Sequence, residues 1–464
     1  MKIAFIAPAV KFYSEYKPLD DLLSAEISRG YRWPEFNLTL LTLAGLTSKE
    51  HEVFIFDEVY KPIDFEKSYD IVAITSMTFN ASRAYEIAKK FRDKGVYTVQ
   101  GGIHATLLPQ EVGQHADSVF CGEAEVSWPQ FLEDFEKGCP KKVYYGSQPD
   151  LSLSPIPRWD LMDEFITDYS VERFKVIKSW TVGLNATRGC PRDCEYCSST
   201  RIFGGKFRKK SIEQVVKEVR AIKRWTKYYG INEFTIAFRD DNPLLGVKYG
   251  LELVDALTQE KVYWSSLTDI AIYKHPELIR KLYPSGCIAL GLGLESLNES
   301  SLESIAPWKS TQISHYEDFI KSAMHEGFLL SLNFIFGMDE DTQESIRKVD
   351  EFCSRYPVMP TFLLLTPFPN QPITVRLKKE GRLPEDTYWN RCNLYNLVFE
   401  PKRMSKEELY SQVAYLHRKF NNPEHWKAVR DEIQAIRARR GHAIPLPPSP
   451  YQQYKPRMNQ SFTS

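Results

Sequence analysis

The sequence predicts an α/β protein with a doubly wound parallel sheet at the N-terminus. A partial, open-sided (β/α)6 barrel follows, and then a small helical segment. Three observations carry this. Short β-branched runs alternate with amphipathic stretches along residues 1–145. The alternation resumes at Thr181 and gives six strand–helix units, too few to close an eight-stranded barrel. Beyond residue 375 the pattern becomes helical and charged.

The strands of the first unit are expected at 3–7, 52–57, 69–75, 97–100 and 118–121, with a helix over 81–94 closed by Gly95. Ligands of such sheets bind outside the carboxyl ends of the strands. Those ends carry Thr75-Ser76-Met77-Thr78, Gly101-Gly102-Ile103-His104 and Gly122-Glu123. Residues 146–180 read as a connector, with Pro149, Pro155 and Pro157 and no catalytic signal. Barrel strands are expected at 180–186, 233–238, 262–267, 287–292, 329–336 and 361–365. Ser211 and Gln214 form a capping-box pattern ahead of a helix to Trp225. The unit at 181–375 is followed by helices at 405–420 and 426–439 within a segment 376–440. The tail 441–464 is rich in Pro, Gln and Ser and reads as disordered.

The length of 464 residues suggests about three domains at ~150 residues each. Lys+Arg and Asp+Glu are both 60, so no net charge draws the chain to nucleic acid or anionic membrane. No apolar run reaches the ~18 residues that span a bilayer. Residues 1–8 resemble a core strand rather than a signal peptide, and the expected location is cytoplasmic. Eight cysteines are too sparse for a disulfide scaffold.

Three of them crowd into one short run, Cys190, Cys194 and Cys197, just past a barrel strand's carboxyl end. Thiolates at this spacing suit iron–sulfur or zinc. A closed zinc site usually comes as two separated pairs, and no second pair is visible. A complete cluster takes four cysteines, so three would leave one iron open. A zinc site completed by a remote residue and chance crowding stay open as alternatives. Cys121, Cys139, Cys287, Cys353 and Cys392 read as packing residues.

The run Arg188-Gly189-Cys190-Pro191 through Tyr196-Cys197 resembles the cluster motif of the radical S-adenosylmethionine (radical SAM) superfamily. The segments 197–208, 238–242, 291–296, 334–337 and 366–369 are similar to members with an N-terminal cobalamin-binding domain, the class B type. So are Gly101 to Thr106 and Gly122 to Glu125, and the likeness covers 1–375. It implies a Rossmann-like cobalamin-binding-type domain followed by a TIM-like radical SAM barrel. It further implies a [4Fe–4S] cluster on Cys190, Cys194 and Cys197, with SAM on the fourth iron cleaved to a 5′-deoxyadenosyl radical.

By the same resemblance Tyr196 lies beside the adenine, and Asp240, Asp241 and Glu295 bind SAM. Ser76, Thr78, Gly101, Gly102, His104, Gly122 and Glu123 are placed against cobalamin. The structural alternatives are core packing for Tyr196, a turn or cap for the aspartates, an ion pair for Glu295, and helix capping for Ser76 and Thr78. The D-x-H-x-x-G cobalt-ligating motif of other cobalamin proteins is absent, and His104 does not replace it.

The implied activity is C-methylation of an unactivated carbon on a small-molecule, tetrapyrrole, lipid or natural-product substrate. Non-methylating radical chemistry (oxidation, cyclisation or dehydration), with or without cobalamin, is the alternative. Methylthiolation expects a second, N-terminal cluster, and only Cys121 and Cys139 lie there. A non-enzymatic sensor would need an output domain, and none is visible. The resemblance also implies an electron donor such as flavodoxin or ferredoxin. Tyr388, Trp389, Tyr395, Tyr410 and Tyr415 suit a flat substrate but suit core packing better.

Overall fold

The computed structural model describes residues 1–9, 12–28, 37–162, 180–231, 233–384, 388–441 and 446. All but the first and one later residue of the 441–464 tail, and much of the connector, lie outside them. The first sheet contains β1 (Lys2–Ala7), β2 (Glu52–Asp57), β3 (Ile71–Thr75), β4 (Tyr97–Gly101), β5 (Ser118–Cys121) and β6 (Val143–Tyr145). Its order is β2-β1-β3-β4-β5-β6, and every pair is parallel. The chain order reverses between β1 and β3, which leaves a crevice at their carboxyl ends. β1 is buried from Ile3 to Ala7, as a strand covered on both faces must be. The expectation missed β6, whose three residues carry too little pattern to read; its register is Val119 opposite Val143.

β7 (Trp180–Leu184) opens the second unit, and a two-strand antiparallel ladder follows, β8 (Thr187–Arg188) with β9 (Arg208–Lys209). Next come β10 (Phe234–Phe238), β11 (Tyr263–Thr268), β12 (Cys287–Glu295), β13 (Leu329–Phe336) and β14 (Met359–Leu364). The six long strands form one parallel sheet in the order β14-β13-β12-β11-β10-β7, with no pairing between its two ends among the described residues. The partial-barrel expectation is met.

Ser211 caps the helix Ile212–Tyr228 by accepting from Gln214 N at 3.1 Å. The box is not closed. The Gln214 amide instead donates to Leu151 O (3.1 Å) and Ser154 O (2.8 Å), so it pins the connector to the barrel. The expected packing role fails for Cys139, which is exposed just past the helix Ala124–Glu136.

The helices Lys406–Phe420 and Pro423–Arg439 close the lower side of the second sheet. Arg437 is 2% exposed and donates to Gly327 O (2.8 Å) and Ile288 O (3.0 Å). Its charge therefore reaches into the sheet instead of solvent. The 388–410 segment also grips the N-terminal unit. Tyr410 stacks on Tyr16 at 5.3 Å, and Ser14 Oγ donates to Tyr395 O at 3.0 Å. Tyr388, Trp389 and Tyr410 are buried in this packing, whereas Tyr415 is exposed. Among the described residues no helix is long and apolar enough to cross a membrane.

Removing the single cap of the helix Ile212–Tyr228 should have a local cost. Ser211→Ala is expected to destabilise the chain by about 1 kcal/mol, read as a lower urea midpoint with an unchanged slope.

Candidate active site

Residues 190–197 form no helix or strand. The conformation begins at Gly189, where φ is +87° and a Cβ would lie 2.4 Å from Lys206 O, so only glycine fits. Each part of the loop is fixed from outside. Arg376 of the helix Pro372–Lys379 holds Glu195 with two parallel bonds, 2.8 and 3.0 Å. Glu195 N donates to Ile305 O (2.8 Å), and its carbonyl accepts from Ile373 N (3.2 Å). Arg192 is bound to Asp269 at 3.3 Å.

Cys190 and Cys197 are partly buried. Cys194 is buried, and the Trp308 indole N–H donates to its Sγ at 3.4 Å. Burial pushes the Cys190 thiol up, and it pushes Cys197 up to about 12. Such thiols lack the positive charge that would stabilise their thiolates, which is what bound iron supplies. Among the described residues, no three His, Cys, Asp or Glu side chains converge on one metal ion.

Arg188, two residues before Cys190, joins the two units. It pairs with Glu123 (2.7 Å) and Glu125 (2.6 Å), and Arg208 also pairs with Glu123. Both glutamates are buried, and the Arg188 pairing holds the Glu125 carboxyl below its usual range against the opposing effect of burial. Glu123 was expected to contact a cofactor tail. Its carboxylate pairs with two arginines of the cysteine-bearing unit, and the residue also lines the cavity described below.

Asp240 is likewise engaged by the protein's own groups. It is 3% exposed and accepts from Ala186 N (2.9 Å), Thr187 N and Thr187 Oγ1 (2.6 Å). It fastens the chain leaving β7 and also lines the cavity described below. Burial raises its pKa to about 7 despite those bonds. Asp241 is exposed and lies close enough to raise the pKa of Cys190 and Cys197.

Glu295 takes the ion-pair alternative. Its Oε1 is 2.5 Å from Lys309 Nζ, both side chains are buried, and Lys309 also donates to Gly293 O (2.8 Å) and Tyr196 Oη (3.4 Å). Its φ of +65° is unusual for a non-glycine residue, and such strain typically costs about 1–3 kcal/mol. Tyr196, partly buried, has its hydroxyl pKa pushed well up by desolvation and then by Glu295.

A cavity of about 820 Å³ lies at the carboxyl ends of β1, β3, β4 and β5, within the size range of ligand sites. Ser76, Gly101, Gly102, Gly122 and Glu123 line it on one side, and Arg188, Arg239, Asp240 and Asp241 on the other. Ser76 Oγ is buried with no partner among the described residues, as a hydroxyl awaiting a ligand would be. Gly102 sits at φ +95°, where a Cβ would meet Ser76 O and Thr75 Oγ1 at 2.7 Å.

Two expected contacts do not reach this cavity. Thr78 is buried in the turn Thr78–Asn80 and does not line it. His104 points away because the short helix Ile103–Leu107 turns it into the seam with the C-terminal segment. There it bonds the Tyr85 hydroxyl (2.9 Å) and packs on Trp389 (4.6 Å), and burial lowers its pKa to about 4.

Sequence reasoning missed Arg188, Glu125, Arg208, Glu195, Arg376, Trp308 and Lys309. Arg188, Glu195, Arg208 and Glu125 stand inside quoted motifs, where their position beside the cysteines and Glu123 was the available signal.

The Radical SAM superfamily profile matches residues 184–353. Bacteriochlorophyllide d C-12(1)-methyltransferase of Chlorobaculum tepidum is 31% identical over 385 residues, covering 82% of this chain and 81% of that protein. The same organism's bacteriochlorophyllide d C-8(2)-methyltransferase is 28% identical, covering 84% and 89%. In structure, the chain is similar to the radical S-adenosylmethionine methyltransferase TsrM of Kitasatospora setae, solved with cobalamin and a [4Fe-4S] cluster bound. That match has a TM-score of 0.62 at 13% identity and covers 100% of this chain and 93% of TsrM. At that identity it shows the shared fold.

Breaking the seam should be costly. Arg188→Met leaves Glu125 buried without its cation, and losing one partner of a buried pair costs about 3–5 kcal/mol. Because pairing lowers the Glu125 pKa, this contribution is present above the unfolded carboxylate range and lost as pH falls through the folded value. The difference in urea stability between wild type and variant should therefore narrow on acidification.

Proposed function

The chain belongs to the radical SAM superfamily, and from that premise we propose that it is a cobalamin-dependent C-methyltransferase acting on an unactivated carbon. One observation carries the reading. Arg188 lines the 820 Å³ cavity and lies two residues before the first thiol, so the cysteine loop is fastened at the cavity's edge. Radical generation and methyl transfer in one enzyme require two cofactor positions in such proximity. In this reading Cys190, Cys194 and Cys197 hold a [4Fe–4S] cluster, and the cavity with Ser76, Gly101 and Gly102 holds cobalamin. When bound, the cluster supplies one-electron cleavage of SAM and the corrin supplies a transferable methyl group.

The chain's own residues bind, orient and exclude water. Tyr196 packs with Cys194 and Cys197 and lies near Glu295. The Lys309 ammonium fixes Glu295 and the Tyr196 hydroxyl in one cluster. Asp241 places a negative charge near Cys190 and Cys197, suited to an amino group there. The two chlorophyllide methyltransferases make a tetrapyrrole the first substrate to test. A small iron–sulfur or flavin protein of the ferredoxin or flavodoxin kind is the proposed electron source. The units 1–145 and 181–375 are proposed as the cobalamin-type and radical domains.

The protein, expressed with corrinoid and reconstituted anaerobically with iron and sulfide, is reduced in the presence of SAM and a tetrapyrrole. Stoichiometric corrinoid and formation of both 5′-deoxyadenosine and S-adenosylhomocysteine are expected. Deoxyadenosine alone would replace methylation with another radical reaction. Cys194→Ala should abolish cluster absorbance and SAM cleavage, and full cleavage in that variant would overturn the cluster assignment.

A further inference from the structure

The single turn Pro307–Ser310 follows Ala306, whose non-helical backbone (φ −154°, ψ 66°) precedes it. It aims two adjacent side chains at the site. Lys309 goes to Glu295, as described, and Trp308 goes to the buried sulfur. A tryptophan has one polar atom, and that atom can only donate. The indole N–H of Trp308 is directed at Cys194 Sγ, 3.4 Å away, in a pocket shared with Cys197, Tyr196 and Met338.

Two cations flank the indole. The Arg192 guanidinium lies 4.1 Å from its ring centre and the Lys309 ammonium 5.5 Å. Asp269 holds Arg192 in that position. A cation on a ring draws on its π electrons and leaves the N–H a stronger donor. Cys194 is 6% exposed, so little water competes for the sulfur.

We propose that Trp308 is a positioning residue for the iron–sulfur centre, donating an N–H···S bond to the Cys194 thiolate that raises the centre's reduction potential. The inference rests on the assignment of Cys194 as a cluster ligand. Reduction adds negative charge that is shared with the thiolate sulfurs. A donor at one of them stabilises the reduced state more than the oxidised one, and hydrogen bonds to sulfur are among the levers that set cluster potentials. Trp308 would thus bring the centre within reach of a weaker reductant.

The test compares reconstituted wild type with Trp308→Phe, which keeps an aromatic ring and removes the donor. Iron and sulfide content, midpoint potential and the spectrum of the reduced cluster are measured on both. The expected result is equal cluster content with a potential more negative in the variant. A tenfold change in the reduction equilibrium corresponds to about 59 mV for one electron.

A second measurement, independent of how the variant folds, uses wild type alone. Protein labelled with ¹⁵N at the indole should show coupling between that nitrogen and the electron spin of the reduced cluster. Absence of the coupling, or an unchanged potential at equal cluster content, overturns the role of Trp308 and leaves the cluster assignment standing. If wild type takes up no cluster, the assignment falls and the role of Trp308 falls with it.

Discussion

Three thiols on a loop with no secondary structure can be held in place only by bonds from elsewhere. The hydrogen-bond ladder that fixes a strand or helix is missing from residues 190–197. Its place is taken by charge. Arg188 ties the approach to Glu123 and Glu125, Arg376 ties the middle through Glu195, and Arg192 ties the side to Asp269. The first of these bonds runs to the N-terminal sheet, so the loop's geometry and the seam between the two units are one constraint. Buried ion pairs gain little net stability over apolar packing, because desolvation offsets their attraction. Their contribution is direction, since a bidentate arginine accepts few orientations.

That constraint explains how the carboxylates are distributed. A carboxylate at the end of a parallel strand is in the right place for a ligand, and also for a neighbouring backbone with free N–H groups. Asp240 serves the backbone after β7 and Glu123 serves two arginines, while Asp241 remains exposed. Glu295 lies between these cases. It is paired with Lys309 yet held at a strained backbone angle, in contact with Tyr196. Strain of that kind persists only where the surroundings over-determine it. Here β12 and β13 shift register at the same point, between Gly293 and Glu295.

The cavity and the thiol loop meet along the line of Arg188, Asp240 and Asp241. The C-terminal segment keeps that meeting rigid, because Tyr410 and Tyr395 hold the N-terminal unit while Arg437 anchors the other end under β12 and β13. A methyl donor on one side and a radical source on the other would require just such a fixed separation, since reacting atoms must meet at near-contact distances.

Much of this was legible in the chain alone. Eleven of the strand positions could be read because parallel strands covered on both faces are nearly continuous apolar runs, and three cysteines at spacings of four and three leave few chemistries open. Gly102 and Ser76 could be placed at the mouth of the first sheet because they follow strand ends, and both line the cavity there. The partners could not be read. Whether Glu123 meets a ligand or Arg208, 85 positions away, depends on how two sheets dock, and no local periodicity encodes docking. His104 was turned from the cavity by one short helix, and Trp308 reached Cys194 across 114 positions. The sequence determined which elements form and which residue types carry the chemistry, because those follow from local pattern. The tertiary structure decided which charges neutralise each other and which remain for a ligand, because burial and pairing are properties of the packed whole.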